Sequence, residues 1–212
     1  MKPLSAIPFE PHPFTSLAGS IPPEAGLTEE LYKKQIERLK AQKDIDVSRI
    51  TYDSDRLKIT GVRVLPKLLP GQKVPMIIYN RGGNREFGKL TVGQILGYMI
   101  PLIKAFPAGV LATNYRGNDG GEGKEELGGD DVHDVLNLIE AGKKEPWWDG
   151  RNIFMIGGSR GAMMTYLAIK HGAPLNAAAA WAGPTDLFAA GKERPEMEEN
   201  VYARLIPGWP ES

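Results

Sequence analysis

Between residues 74 and 183 the chain alternates short β-rich runs with apolar helical stretches, and this alternation constrains the fold more than any other feature of the sequence. The runs, in chain order, are VPMIIYN, GVLATNY, NIFMIG and NAAAAWAG. Helical stretches follow the first three runs, at about residues 91–106, 130–144 and 160–171. Strand–helix–strand units close by right-handed crossovers and give a parallel sheet with helices on both faces. The sequence therefore predicts an α/β fold in which ligands bind beyond the carboxyl ends of the strands.

The part of the chain before this alternation has a different character. Up to Pro23 the sequence is rich in proline and predicts irregular structure. Thr28 is a candidate N-cap for a helix with a thin apolar stripe, which indicates a surface helix laid as a strap over the domain or, alternatively, one that binds a partner. From Val47 the pattern alternates polar and apolar residues around an Asp-Ser-Asp turn, which predicts an antiparallel hairpin. We therefore divide the chain into an N-terminal segment, residues 1–44, and an α/β domain, residues 45–212.

Charge and composition exclude several classes of partner. The chain has 26 Lys and Arg against 26 Asp and Glu, so nothing in its net charge indicates binding to nucleic acid or to an anionic membrane. It has no cysteine, which excludes disulfides, thiolate metal sites and a cysteine nucleophile, and which fits a reducing compartment. The first residues lack the apolar run of a signal peptide, and the most apolar later stretch is interrupted by Pro101, Lys104 and Pro107. We expect a cytoplasmic protein without a transmembrane segment.

A serine flanked by glycines follows the third β-rich run. The segment Gly157-Gly158-Ser159-Arg160-Gly161 fits G-x-S-x-G, the pattern of a nucleophile elbow, in which a strand turns sharply into a helix and the serine takes a strained backbone conformation. Glycines two residues before and two after the serine avoid a collision across the tight turn. The N-terminus of the following helix directs free N–H groups towards the place where an oxyanion would form.

Three other interpretations of these loops fit the residues less well. A dinucleotide-binding loop needs a first glycine where this chain has Ile156. A plain strand-to-helix turn with a capping serine does not require the paired glycines. The segment NDGGEGKEE is similar to a phosphate-binding loop, but Asn118 replaces its first glycine, Glu125 replaces its hydroxyl residue, and its acidic side chains would repel phosphate.

Five segments between about Val47 and Ala189 occur in a characteristic order: YNRGGN, NYRGNDGGEG, GGDDVHDVLNLIE, WWDGRNIFMIGGSRGA and AAAAWAGPTDL. In this order they resemble the catalytic domain of the prolyl oligopeptidase family of serine hydrolases. The resemblance implies an α/β-hydrolase fold, with a mainly parallel sheet covered by helices on both faces. It covers the front part of that domain, so residues 45–212 are expected to be a partial catalytic domain that lacks the last strands.

The resemblance also implies roles for individual residues. Ser159 is the expected nucleophile, and the backbone N–H of Arg160 is one expected donor to the oxyanion. The second donor is expected in the YNRGGN loop, as either Arg81 itself or the backbone N–H of Gly82. The family often has His or Tyr at the position of Arg81, so this loop departs from the usual pattern.

A serine nucleophile needs a base, and the three histidines are poor candidates. His12 lies in the Pro-rich start. His171 ends the helix that follows Ser159, roughly 18 Å away at about 1.5 Å per residue, and it is better interpreted as a helix C-terminal charge with Gly172 as the cap. His133 begins a helix at the correct end of the sheet, but it precedes the serine, whereas this fold orders its triad as Ser, Asp, His.

The sequence offers one candidate for the acid. Asp186 follows the fourth β-rich run, but it or Thr185 more simply caps a short helix. In the family the acid and the histidine lie on loops after two further strands, so we expect a chain that is a fragment without them. The run NAAAAWAG would then be a nearly uncharged edge strand, which is expected to pair with another segment or another chain.

The resulting prediction is a serine hydrolase of prolyl oligopeptidase type, acting on a small ester or peptide through an acyl-enzyme at Ser159, without a metal or organic cofactor. The chain alone is expected to be nearly inactive. The alternative is a non-catalytic binding module that keeps the pocket and lacks the triad.

Overall fold

The computed structural model describes residues 2–17, 21 and 25–211. Its centre is a seven-stranded sheet with the strand order β1-β2-β3-β5-β4-β6-β7. The strands are β1 Ser5–Pro8, β2 Ile45–Ser54, β3 Leu57–Pro66, β4 Val74–Asn80, β5 Gly109–Thr113, β6 Trp148–Gly158 and β7 Ala177–Trp181. The four β-rich runs of the sequence analysis are therefore all strands.

The sheet has an antiparallel part and a parallel part. Strands β1, β2, β3 and β5 pair antiparallel, and β5, β4, β6 and β7 pair parallel. The predicted hairpin is β2 and β3, and its turn lies at Asp55 and Arg56, both with positive φ. Because β4, β5, β6 and β7 are parallel, their carboxyl ends lie at one edge of the sheet.

Helices cover both faces of this sheet, as the alternation predicted. They are α1 Glu29–Lys40; α2, which runs through Val92–Gln94, Ile95–Met99 and Ile100–Ala105; α3 Asp131–Gly142; α4 Arg160–Lys170; α5 Leu187–Glu193; and α6, which runs through Pro195–Met197, Glu198–Tyr202 and Ala203–Leu205. Buried side chains of α2 pack with one face of the sheet, and those of α3 and α4 pack with the other.

The middle of α2 is wider than an ordinary α-helix. Residues Ile95–Met99 form a π-helical segment, and the N–H of Ile100 donates to the carbonyl of Ile95, five residues earlier. Pro101 follows directly. A proline inside a helix has no N–H to donate, and its ring collides with the carbonyl four residues earlier. The wider turn relieves that collision, so the helix continues through Pro101, and the helical stretch predicted at about residues 91–106 is confirmed.

The N-terminal segment is more ordered than its composition indicated. Ser5–Pro8 form strand β1, which pairs with β2, so the expectation of irregular structure up to Pro23 is wrong for these four residues. The predicted strap helix is present as α1, and the Thr28 hydroxyl caps it by accepting from the N–H of Leu31 at 3.2 Å. Its buried Tyr32 packs with Leu17 and Val92 of α2. Residues 18–20 and 22–24 lie outside the described part of the chain.

Strand β7 is the edge of the described sheet on the parallel side. Four of its five residues are exposed, and Ala180 is half-buried. Across the described residues, none of the helices is both long and apolar enough to span a bilayer. The cytoplasmic location stays a prediction.

Candidate active site

Ser159 lies at the junction between β6 and α4, beyond the carboxyl end of its strand. Its backbone has φ 54° and ψ −128°, an unusual conformation for a residue other than glycine. The N–H of Ser159 donates to the carbonyl of Trp181 in β7 at 3.0 Å, and its own carbonyl accepts from Ala162 in the first turn of α4. The strained backbone that the sequence predicts for Ser159 is therefore present.

The two glycines around Ser159 are required by close backbone contacts. A Cβ on Gly157 would lie 2.2 Å from the carbonyl oxygen of Gly161. A Cβ on Gly161 would lie 2.0 Å from the carbonyl oxygen of Asn80, at the end of β4. Real Cβ atoms do not come this close to backbone oxygen, so any side chain at either position would force the turn apart.

Gly82 follows β4 and lies directly beside Ser159. A Cβ added at Gly82 would be 3.4 Å from the Ser159 Cβ and 4.0 Å from its hydroxyl oxygen. The preceding carbonyl, that of Arg81, accepts from the hydroxyl of Tyr115 at 3.1 Å. In a trans peptide the C=O and N–H point in opposite directions, so the N–H of Gly82 points away from Tyr115. Neither this N–H nor that of Arg160 donates to another of the described residues, so both backbone donors are available to a ligand.

The side chain of Arg81 is fully buried and donates only to the backbone around it. Its five N–H groups reach four carbonyl oxygens at 2.8–3.2 Å, those of Gly82, Arg85, Phe87 and Asn114. This guanidinium therefore holds the loop of residues 82–87 in shape and has no donor left for a ligand. Of the two alternatives left open for the second oxyanion donor, the geometry favours the N–H of Gly82.

A second buried guanidinium, that of Arg160, lies below Ser159. It pairs with the carboxylates of Glu125 and Asp131, and all three side chains are at most 4% exposed. It also donates to the carbonyl of Gly83 at 3.2 Å and lies over the ring of Tyr115, 4.4 Å from the ring centre. Since α4 begins at Arg160, these contacts fix the start of that helix.

Glu125 connects this helix to the loop beside Ser159. One of its carboxylate oxygens accepts from Arg160, and the other accepts from the N–H of Arg85 at 2.6 Å and from the side chain of Asn118 at 3.0 Å. Burial raises the pKa of Asp131, although the charge of Arg160 and backbone N–H groups oppose the shift. Burial, and then the charge of Arg160, lowers the pKa of Arg81 to about 10.

None of the three histidines lines a pocket around Ser159. His12 bonds the carboxylate of Asp119 at 2.8 Å. His133 bonds the carboxylate of Asp55 at 2.7 Å, and its ring contacts that of His171. That none of them is the base stays a prediction.

Two smaller predictions of the sequence analysis are confirmed. The side chain of Asp186 accepts from the N–H of Ala189 at 2.9 Å and caps α5. Helix α4 ends at Lys170, with His171 as its C-cap and Gly172 beyond it at φ 79°. Both residues therefore have the local roles that were preferred over catalytic ones.

Two pockets meet at Ser159. The first, of about 440 Å³, extends from Ser159 and Arg160 towards α5 and α6, where Met163, Leu187 and Tyr202 form part of its wall. The second, of about 350 Å³, extends towards α2 and β7 and is lined by Gly82, Tyr98 and Trp181 among others. A bound carbonyl group at Ser159 would therefore have space for a substituent on either side.

Elsewhere, Asp55, Asp130 and His133 place three ligand atoms within 4.8 Å of one another. The guanidinium of Arg116 pairs with both carboxylates, at 2.8 Å from Asp55 and 3.6 Å from Asp130. A cation at this place would have to displace an arginine, so this group fits an ion-pair cluster better than a metal centre.

The buried charges of Glu125 and Asp131 were not predicted from the sequence. Glu125 was considered only as part of a rejected phosphate loop. One signal was present, because an acidic side chain in a loop that must pack against the sheet needs a cationic partner. The sequence does not reveal which arginine supplies it.

Comparison with known proteins identifies relatives of this chain. Residues 108–211 match the sequence model of the prolyl oligopeptidase family. An uncharacterized peptidase from Bacillus subtilis, named YtmA, is 31% identical over 162 residues, which cover 76% of this chain and 60% of that protein. This chain therefore spans less than two thirds of the length of that relative.

Solved structures show the same fold. The acylaminoacyl peptidase of Pyrococcus horikoshii aligns with a TM-score of 0.55 and 23% identity over 70% of this chain and 25% of its own. The acetyl xylan esterase of Paenibacillus sp. R4 aligns with a TM-score of 0.57 and 18% identity over 93% of this chain and 74% of its own. The predicted α/β-hydrolase fold is confirmed, and residues 108–211 of this chain are similar in sequence to the prolyl oligopeptidase family.

Proposed function

We propose that Ser159 is the nucleophile of a serine hydrolase that cleaves ester or peptide bonds through an acyl-enzyme. The observation that carries this proposal is the backbone of Ser159, held at φ 54° where β6 turns into α4. In a nucleophile elbow, this strain exposes the hydroxyl at the carboxyl edge of the sheet. The close contacts at Gly157 and Gly161 support the same interpretation, because a simple capping serine does not need them.

The oxyanion of the tetrahedral intermediate would be bound by two backbone N–H groups. One belongs to Arg160, at the N-terminus of α4, and the other to Gly82. Donors that are held in place before the reaction stabilise the developing charge without reorganisation. The contacts of Arg81 and Glu125 with the loop beside Ser159 provide such rigidity.

The base and the acid are proposed to lie outside the described residues. A serine hydroxyl is a poor nucleophile without a base, and each histidine of this chain is engaged away from the pockets around Ser159. Ser159 with an oxyanion site but without its partners retains only about 10³- to 10⁴-fold acceleration over water. The chain alone is therefore expected to turn over p-nitrophenyl acetate far more slowly than a hydrolase with a complete triad.

The test is to complete the site. A chimera that appends the C-terminal stretch of a close relative, containing further strands with an Asp and a His, is expected to hydrolyse p-nitrophenyl acetate and to react rapidly with a fluorophosphonate probe. Ser159→Ala in the same chimera is expected to remain unlabelled. A folded chimera without labelling at Ser159 would refute the proposed nucleophile. Comparing p-nitrophenyl acetate with peptide p-nitroanilides then separates an esterase from a peptidase.

The second candidate is a binding module without catalysis. It is favoured by one observation, that no histidine lines the pockets around Ser159. In that case ligands would bind the two pockets with equal affinity in the wild-type chain and in Ser159→Ala, and the chimera would be soluble yet unreactive.

A further inference from the structure

The pocket that Ser159 shares with β7 and α2 has mainly aromatic walls. Four aromatic side chains line it, those of Tyr79, Phe87, Tyr98 and Trp181. Its volume of about 350 Å³ lies at the lower end of the range of roughly 300–1,000 Å³ for small-molecule sites. We call this pocket the aromatic cleft.

Three of these rings are unusually open to solvent. Phe87 is 44% exposed, Tyr98 is 47% exposed and Trp181 is 45% exposed. Single exposed aromatic residues need no explanation, but three that converge on one cleft beside a strained serine indicate a binding surface. The ring of Tyr98 stacks on the buried Tyr79 with 5.8 Å between ring centres and 26° between planes, which holds Tyr98 in place.

The polar character of the cleft limits what it can bind. Among the described residues, no charged side chain lines it, whereas Arg160, Glu193 and Arg194 line the other pocket at Ser159. Gln94 supplies an amide, whose oxygen accepts from the hydroxyl of Tyr79 at 3.1 Å. Its NH₂ group donates to no other described residue and so remains available to an acceptor. A charged group would lose its hydration here without gaining a partner.

Glycines allow a flat group to approach the serine. A Cβ on Gly158 would lie 2.4 Å from the indole of Trp181. Because Gly158 has no side chain, the indole can lie against the end of β6. Gly82 similarly leaves the space next to Ser159 free of side-chain atoms. A ring in the cleft can therefore place an attached carbonyl close to the serine hydroxyl.

We propose that the aromatic cleft binds a neutral, planar aromatic group of the substrate, on one side of the bond that is cleaved. This inference rests on the proposed role of Ser159, and it names the substrate class of that site. Aromatic rings pack on Tyr98 and Trp181 in offset or edge-to-face geometry, and such contacts contribute beyond the buried area alone. The NH₂ group of Gln94 selects rings that carry a hydrogen-bond acceptor.

The test measures binding rather than turnover, with benzamide as the probe and cyclohexanecarboxamide as a non-aromatic control of similar size. Titration of the ¹⁵N-labelled chain is expected to shift the indole N–H signal of Trp181 and to give at least about fivefold tighter binding of benzamide. Equal affinities for the two amides, or shifts that spare Trp181, would overturn the proposal.

Variants locate the contact. Tyr98→Ala is expected to weaken benzamide binding about two- to tenfold, the range of one aromatic contact. Tyr166→Ala is the matched control, because Tyr166 is 41% exposed on α4 and does not line the cleft. Because benzamide binding is measured without turnover, a failure of the nucleophile proposal leaves this measurement intact. Loss of affinity in the Tyr166 variant but not in the Tyr98 variant would reject the assignment.

Discussion

The Ser159 turn and strand β7 are joined by the hydrogen bond from the N–H of Ser159 to the carbonyl of Trp181, and they differ sharply in how firmly they are held. On one side, the turn at Ser159 is fixed by backbone contacts at Gly157 and Gly161 and by the buried charges of Arg160 and Glu125. On the other side, β7 accepts this hydrogen bond through Trp181 while most of its residues are exposed. Rigidity is thus concentrated at the strained serine, where strain persists only if the surroundings enforce it. The neighbouring edge is open to a ligand or a further strand.

The largest expected effect comes from breaking the turn itself. Gly161→Val should cost about 5 kcal/mol of unfolding free energy, because the new side chain meets the carbonyl oxygen of Asn80 where even a Cβ would lie at 2.0 Å. Chemical denaturation measures the change, and a loss of this size can unfold a domain of ordinary stability. Gly97→Val is the control, since nothing lies within 4 Å of a Cβ at Gly97. Similar stability of the two variants would contradict the contact.

The buried charges below the turn should give the next largest effect. Glu125→Leu removes a carboxylate that accepts from both Arg160 and the N–H of Arg85, so Arg160 loses one of its two carboxylate partners and the N–H of Arg85 loses its acceptor. Removal of one partner of a buried ion pair lowers the unfolding free energy by about 3–5 kcal/mol. We expect the lower end of this range because Asp131 still pairs with Arg160.

The control for Glu125 is Glu140→Leu, which breaks an exposed pair with Lys143. Exposed pairs contribute about 0–1 kcal/mol, so this variant should melt close to the wild-type temperature. Equal losses at Glu125 and Glu140 would show that the buried pair does not stabilise the turn.

The two regions also show which structural features can be predicted from the sequence and which cannot. Strands, helices, the strained backbone of Ser159 and the cap by Asp186 follow from local patterns, and the structure has all of them. Such features depend on residues a few positions apart, such as a glycine two residues from a serine.

Features that depend on distant partners were missed. Strand β1 is only four residues long and ends at Pro8, and its existence depends on pairing with β2, as in Ser5 with Thr51. The role of Arg81 depends on carbonyls of residues 82–87 and of Asn114, whose directions follow from the conformation of two loops. No local pattern encodes which backbone oxygens a buried guanidinium will meet.

The smallest expected effect on stability lies at the edge strand. Ala178→Lys introduces a charge at the second residue of β7, where Ala178 is exposed, and should change the unfolding free energy by no more than about 0.5 kcal/mol. Its effect on association should be larger, because an uncharged edge strand can pair with another chain and an edge lysine prevents such pairing.

Sedimentation velocity of the wild-type chain at increasing concentration is expected to show self-association, and Ala178→Lys is expected to reduce it. Ala203→Lys adds the same charge at an exposed helical position of α6 and should leave association unchanged. If both lysines reduced association equally, net charge would be the cause. If the wild type stayed monomeric at every concentration, the open backbone of β7 would not act as a pairing site between copies. Strand β7 would then differ from the Ser159 turn only in being more exposed to solvent.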